Sequence, residues 1–124
     1  MADRFALLVN LGGGVVTDLG GFAAAVYKRG IRYINVPTSL LAMVDASTGA
    51  KTGIDFRYTK NELGVFYEPE YVFIDSTYLN TLPKRHFTAA LAEMLKHSLL
   101  NSEDALKAFL DTDFEDEKLL EALI

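Results

Sequence analysis

Three groups of residues in this 124-residue chain are of types that do chemistry. The first lies in the glycine-dense stretch NLGGGVVTDLGGF, residues 10 to 22. Glycines just ahead of a helix let a phosphate approach backbone N–H groups, and the helix end adds a partial positive charge. Gly12 and Gly14 open a G-x-G-x-x-G pattern that Thr17 interrupts, and no acidic residue ends the following strand to hold a ribose. By spacing alone, a tight strand-to-helix turn accounts for these glycines as well as a phosphate cradle does. Asp18, in the first turn of the expected helix, is stabilised by the helix dipole with or without a ligand.

The second group is Asp45, Lys51, Lys60 and Asn61, with Lys51 between Gly49 and Gly53. Solvated surface is the ordinary place for lysines, yet two cations and an amide beside glycines also suit a phosphorylated ligand. The third follows Pro83. At about 100° per residue, Phe87, Leu91, Met94 and Leu95 share one helix face, and Glu93, Lys96 and His97 fall opposite with His86. Glu93 and His97, four residues apart, can reach one metal ion, and they equally form an ordinary surface pair. His86 lies roughly 10 Å from Glu93 along the axis, so this helix alone does not supply three ligands.

The elements that must position these groups follow from local signals. FALLVN (5 to 10) reads as a strand buried on both faces, and 15 to 29 as a helix stopped by a left-handed Gly30. IRYINVP (31 to 37) closes a parallel βαβ unit with a right-handed crossover. Residues 38 to 46 form a short helix capped by Thr38 or Ser39, residues 49 to 67 a hairpin with its tip at 57 to 60, and YVFID (71 to 75) a third strand. Helical periodicity then runs from Pro83 to residue 100, Ser102 caps another helix, and EDEKLLEALI (115 to 124) is a last amphipathic stretch. The fold class is therefore α/β: a partial Rossmann-like nucleotide-binding domain over 1–82, followed by the first helices of an all-α domain over 83–124.

Composition narrows the setting. Half of the residues are hydrophobic, enough for a modest core, and the absence of cysteine excludes disulfides and thiolate metal sites. A reducing cytoplasmic location is expected, since MADRF starts no signal peptide and no apolar run approaches the roughly 20 residues of a membrane helix. The net charge of −5 is concentrated between Glu103 and Glu121, whereas Lys28, Arg29, Arg32, Lys51, Arg57 and Lys60 lie in the first half. Neither a nucleic-acid nor a membrane partner is expected, but a local anion site in the first half is. The last helix ends on Leu123 and Ile124 without a polar tail, which reads as a truncation.

In order, LGGGVVTDLGGFAA, KRGIRYINVPTSLLAMVDASTGAKTG, KNELGVFYEP, FIDSTYLNTLP and LAEMLKH resemble the 3-dehydroquinate synthase family of the sugar phosphate cyclases. The resemblance spans Leu11 to about Leu100, and the order of five motifs makes it far more specific than any one of them. It implies NAD and a divalent metal, zinc or cobalt, as cofactors. It also implies NAD-dependent cyclisation of 3-deoxy-arabino-heptulosonate 7-phosphate with loss of phosphate, in the shikimate pathway. The alcohol is oxidised, phosphate is eliminated, the ketone is reduced again, and ring opening precedes aldol closure.

Residue by residue, the resemblance places Gly13, Gly14, Val15, Val16, Thr17 and Asp18 on the NAD loop. Thr38 and Ser39 fall beside the dinucleotide, and Tyr78, Leu79, Asn80 and Thr81 on another NAD-contacting segment. Lys51 and Lys60 come near both cofactor and substrate, and Asn61 helps Lys51 hold the phosphate. Asp45 and Lys96 meet substrate hydroxyls, and Arg29 reaches a neighbouring subunit's phosphate site, which implies a homodimer acting on a phosphorylated sugar acid. Glu93 matches one metal ligand, and the family's other two are histidines that lie downstream. No ligand role is carried onto His97, whose position is often aromatic. Departures are Thr17 where glycine is common, Ser39 for threonine and Ala50 where the usual run is Gly-Gly-Lys.

Members of the family are much longer than this chain, so it resembles their middle. One ligand of three does not hold zinc in a catalytic geometry, so the isolated chain is expected to lack turnover. The alternatives are another sugar phosphate cyclase making an inosose or valiolone, a metal-dependent polyol dehydrogenase, or a non-catalytic nucleotide-binding fragment. VDASTGAKTG favours the dehydroquinate branch.

Overall fold

The computed structural model describes residues 2–114. Strand β1 (Leu7–Gly12) leads through Gly13 into helix α1 (Gly14–Val26), and β2 (Arg32–Pro37) returns parallel to β1, with Leu7 opposite Arg32 and Gly12 opposite Pro37. This is the expected βαβ unit. A hairpin follows, β3 (Lys51–Phe56) and β4 (Thr59–Phe66), and then β5 (Tyr71–Val72), which pairs parallel with β2 to complete a three-stranded sheet in the order β1-β2-β5. Two helices close the described chain, α2 (Lys84–Asn101) and α3 (Glu103–Asp111). The amphipathic stretch at 115 to 124 lies outside the described residues.

α1 is held against the sheet by glycines that leave room for side chains from below. A Cβ on Gly20 would sit 1.9 Å from Asn10 Oδ1, and one on Gly21 would sit 2.5 Å from Thr52 Cγ2 of the hairpin. Asn10 and Asn35 are both buried, and Asn10 Nδ2 donates to Asn35 Oδ1 at 3.0 Å. Asn35 Nδ2 donates in turn to the Ser47 carbonyl at 3.1 Å, so a polar ladder crosses from β1 through β2 to the segment beyond. Each member of a buried network of this kind has its partner, which offsets the cost of its desolvation.

Two small cores form. Ala24, Ile31 and Tyr33 pack between α1 and β2, with Ala6, Leu8 and Tyr67 around them. Leu40, Ala90, Met94 and Phe109 make the other, which joins α2 and α3 to the segment after β2 and also takes in Leu79 and Leu82. Phe87, Leu91 and Leu95 pack on that core, as the apolar face read from the sequence requires. Ser102 caps α3 as expected, its Oγ accepting the Ala105 N–H at 3.0 Å.

Several expectations are corrected. β1 is covered on one face only: Leu7, Val9 and Leu11 are exposed while Leu8 and Asn10 face α1, because among the described residues α1 is the helix that packs on β1. α1 ends at Val26, earlier than expected, and a 3-10 turn (Tyr27–Arg29) follows; Gly30 does stand at positive φ, 108°, but Lys28 and Arg29 ahead of it share that backbone at φ 47° and 71°. The third strand shortens from 71–75 to Tyr71–Val72, since Asp75 turns the chain by accepting the N–H and hydroxyl of Thr77. The hairpin tip is at Arg57 and Tyr58, both at positive φ as a two-residue reversal demands.

Candidate active-site cleft

The segment after β2 is a short helix that opens into a π turn (Ala42–Ala46). Ser47 makes that turn: its N–H donates to the Ala42 carbonyl five residues back at 3.0 Å, and its hydroxyl donates to the same oxygen at 2.6 Å. Asn35 grips the Ser47 carbonyl from the sheet. The turn presents Asp45 to a cleft of about 470 Å3. Isolated π turns of this kind recur at functional sites, because the extra residue re-aims a side chain.

Four of the residues singled out in the sequence meet in that cleft. Asp18 comes from α1, one turn past its start and so beyond the first turn expected for it, Asp45 from the π turn, Lys51 from the start of β3 and Asn61 from β4. A smaller cavity of about 230 Å3 continues on the α1 side and shares Asp18, Gly53 and Asn61. Asn61 is held at φ 52°, with its N–H donated to Asp55 Oδ1 at 2.9 Å. Partial burial pushes the Asp18 carboxyl above the usual carboxylate range, and the negative charge of Asp45 adds to the effect. The cleft thus holds three acids, Asp18, Asp45 and Glu62, with one lysine and one amide.

At its rim the glycine turn meets the segment after β2. A Cβ on Gly13 would sit 3.2 Å from Ser39 Oγ, and one on Gly14 would sit 3.3 Å from Ala46 Cβ. The Thr38 N–H donates to the Gly12 carbonyl at 3.0 Å, which keeps Thr38 and Ser39 beside the turn. Thr17 is buried and its hydroxyl donates to the Gly14 carbonyl at 2.9 Å, while Val15 and Val16 are exposed. The Val16 and Thr17 N–H groups donate to the Gly13 carbonyl, and the N–H groups ahead of them in the first turn of a helix have no partner within it, so this end of α1 offers backbone donors to an anion.

On the other side of Asp45 stands α2. His97 Nε2 lies 3.3 Å from Asp45 Oδ1 and 3.8 Å from Glu93 Oε1. Lys96 Nζ pairs with that same Glu93 oxygen. The Asp45–His97 contact was not legible in the sequence, where Glu93 and His97 share a helix face but nothing marks Asp45 as the third member. Glu62, which also lines the cleft, was missed, and its position on an exposed strand gave no signal.

Other expected site residues lie apart. Lys60 neighbours Asn61 on β4 and does not line the cleft. Tyr78, Leu79, Asn80 and Thr81 form a 3-10 turn (Ser76–Thr81) in which Leu79 packs on the second core. Arg29 is exposed beyond the far end of α1, roughly 20 Å along the helix from the glycine turn at 1.5 Å per residue.

The family described as 3-dehydroquinate synthase N-terminal matches residues 1–89. The 3-dehydroquinate synthase of Campylobacter fetus is 44% identical over 122 residues, covering 98% of this chain and 35% of that protein. A solved 2-epi-5-epi-valiolone synthase from Streptomyces hygroscopicus, with NAD+ and Zn2+ bound, is 46% identical with a TM-score of 0.74 over 76% of this chain and 26% of its own. A 2-deoxy-scyllo-inosose synthase complexed with carbaglucose-6-phosphate, NAD+ and Co2+ is 32% identical with a TM-score of 0.81, over 98% and 35%. The chain thus spans about a third of the length of the relatives it matches. The α/β fold with its parallel sheet and glycine turn is that of the sugar phosphate cyclases, and the chain belongs to the 3-dehydroquinate synthase family.

Proposed function

We propose that this chain forms the dinucleotide loop and part of the substrate cleft of a 3-dehydroquinate synthase that uses NAD and a divalent metal, zinc or cobalt, on a phosphorylated sugar acid. The observation that carries the reading is the convergence of Asp18, Asp45, Lys51 and Asn61 on one cleft beside the glycine turn. The residues present fit the cofactor: Gly13 and Gly14 bring no side chain to the N-terminal end of α1, where a pyrophosphate would meet backbone N–H groups. NAD, when bound, accepts a hydride from the substrate and returns it later in the cycle.

The chain's own groups then divide the work. Thr38 and Ser39 offer hydroxyls beside the dinucleotide, and Tyr78 to Thr81 would line its farther part. Lys51, with Asn61 beside it, holds the phosphate and stabilises the charge that develops as it leaves. Asp45 and Lys96 orient substrate hydroxyls, while Lys60 adds positive charge close by. Glu93 is the group through which the metal would be held, and a divalent ion there would supply Lewis-acid polarisation of a substrate hydroxyl. Asp18, whose carboxyl is pushed up by partial burial and by the nearby Asp45, would face the nicotinamide end. Arg29, remote from the cleft of its own chain, is free to reach the phosphate site of a second subunit in a homodimer.

Calorimetric titration of the chain with NAD, with and without Zn2+, tests the reading. NAD binding that Lys51→Met weakens by about tenfold or more is expected, in line with one charge-assisted contact. Absence of heat with NAD under both conditions would count against it. The 46% identity to a valiolone synthase supports a second reading, a cyclase for a neutral sugar phosphate. Turnover of the heptulosonate phosphate by the longer protein that contains this segment separates the two.

A further inference from the structure

Three successive residues beyond the far end of α1, Lys28, Arg29 and Gly30, stand at positive φ. A left-handed backbone is costly for the two that carry side chains, and such positions persist where the surroundings over-determine them. Here the brace is Tyr67. Its hydroxyl donates to the Ile31 carbonyl at 3.2 Å, and a Cβ on Gly30 would sit 3.1 Å from that hydroxyl oxygen. The ring stacks on Tyr33 with centroids 5.6 Å apart, and the Tyr67 carbonyl accepts the Tyr33 hydroxyl. The Tyr67 N–H donates to the Ala50 carbonyl at 2.8 Å, one residue before Lys51. Tyr67 therefore joins two places far apart in the sequence, the turn that carries Arg29 and the start of the strand that carries Lys51. Strand alternation explains how: Phe66, paired with Lys51 in the hairpin, lines the cleft, and Tyr67 turns the other way into the core of Ala24, Ile31 and Tyr33.

We propose that Tyr67 is a positioning residue: it holds the Arg29 turn in its left-handed form and ties that turn to the backbone of Lys51. The two cations offered to phosphate, one in the chain's own cleft and one toward a second subunit, are then placed by a single residue that lines no part of the cleft. The inference rests on the roles given above to Lys51 and Arg29. On its helix side the turn is closed by the Gly30 N–H, which donates to the Tyr27 carbonyl at 2.9 Å, and by the Ile31 N–H, which donates to the Ala24 carbonyl at 2.9 Å. The phenol is its hold on the hairpin side. Tyr67→Phe keeps the ring, its stacking and both backbone bonds, and removes only that hold.

Limited trypsin digestion of the 124-residue chain tests the hold on the turn. In Tyr67→Phe, cleavage after Lys28 and Arg29 should quicken by about three- to tenfold, the worth of one hydrogen bond, relative to cleavage after Lys96 within α2, which reports general unfolding. No change, or the same acceleration at Lys96, overturns the proposal. Turnover of the heptulosonate phosphate by the longer protein that contains this segment tests the consequence. Tyr67→Phe should lower kcat/KM by about three- to tenfold, chiefly through a higher KM, and should cost nothing further in an Arg29→Ala background. A merely structural contribution adds equally in both backgrounds, so an equal loss in each overturns the proposal. Arg29→Ala that loses activity beside a fully active Tyr67→Phe overturns the proposal alone, whereas full activity of Arg29→Ala overturns the reading of Arg29 on which it rests.

Discussion

Replacing Gly20 by alanine tests the idea that the second glycine pair of the run serves packing. The added Cβ would sit 1.9 Å from Asn10 Oδ1, 2.4 Å from its Cγ and 2.7 Å from its Nδ2. Ordinary contact begins near 3.4 Å, so either α1 lifts by about 1.5 Å or the Asn10 amide swings away. Asn10 is buried and its Nδ2 serves Asn35 Oδ1, so the swing leaves a buried acceptor without its donor, at about 1–3 kcal/mol. Overpacking adds about 1–3 kcal/mol, and the better helix propensity of alanine returns about 1 kcal/mol. The net expectation is a loss of roughly 3 kcal/mol, a lowering of the melting temperature by about 10 °C in a chain of this size. Urea unfolding followed by circular dichroism measures it. Adding Asn10→Ala removes the clash, so the double variant should be less destabilised than the two single changes added together. A Gly20→Ala chain as stable as the original, or more stable, would refute the packing argument.

Two further changes probe backbone and burial. Ala50 stands at φ 56°, a left-handed position costing about 1 kcal/mol or more for an L side chain, where the family resemblance places glycine. Its carbonyl accepts the Tyr67 N–H at 2.8 Å, a bond that any residue can make, so Ala50→Gly should stabilise the chain by about 0.5–1 kcal/mol in thermal unfolding. No gain, or a loss, would show that strain at Ala50 is relieved elsewhere. Tyr33 is almost fully buried, and its hydroxyl donates to the Tyr67 carbonyl. Burial first, then the nearby Tyr67, Glu68 and Asp18, push its phenol up to about 12 from 10.0. Because the folded value lies above the unfolded one, the stabilisation is fully present below pH 10 and is lost as pH rises towards 12. The loss amounts to roughly 2–3 kcal/mol, seen as a fall in the urea midpoint across that window, and Tyr33→Phe should flatten the fall.

What could be read from the sequence was local. The βαβ unit, the existence of the hairpin and the Ser102 cap each depend largely on local signals, so composition and spacing sufficed, though not to narrow the tip from 57–60 to Arg57 and Tyr58. What escaped was set by contacts between distant residues. The π turn exists because Ser47 bonds back to Ala42 while Asn35, twelve residues earlier, holds its carbonyl, and a lone asparagine in a strand announces no such partner. That turn is what brings Asp45 to His97 on a helix that begins at Lys84. The glycine run shows the same limit from the other direction. Its density suggested one purpose, yet Gly13 and Gly14 border the cleft's rim while Gly20 and Gly21 make room for Asn10 and Thr52 beneath the helix. The two uses are coupled, because the Asn10 that Gly20 admits is the first member of the ladder that ends at Ser47. A change in the packing pair should therefore reach the cleft through two buried amides, and NAD binding by Gly20→Ala, measured by calorimetric titration, should weaken together with its stability; unchanged binding in a destabilised Gly20→Ala chain would show that the ladder does not couple the two.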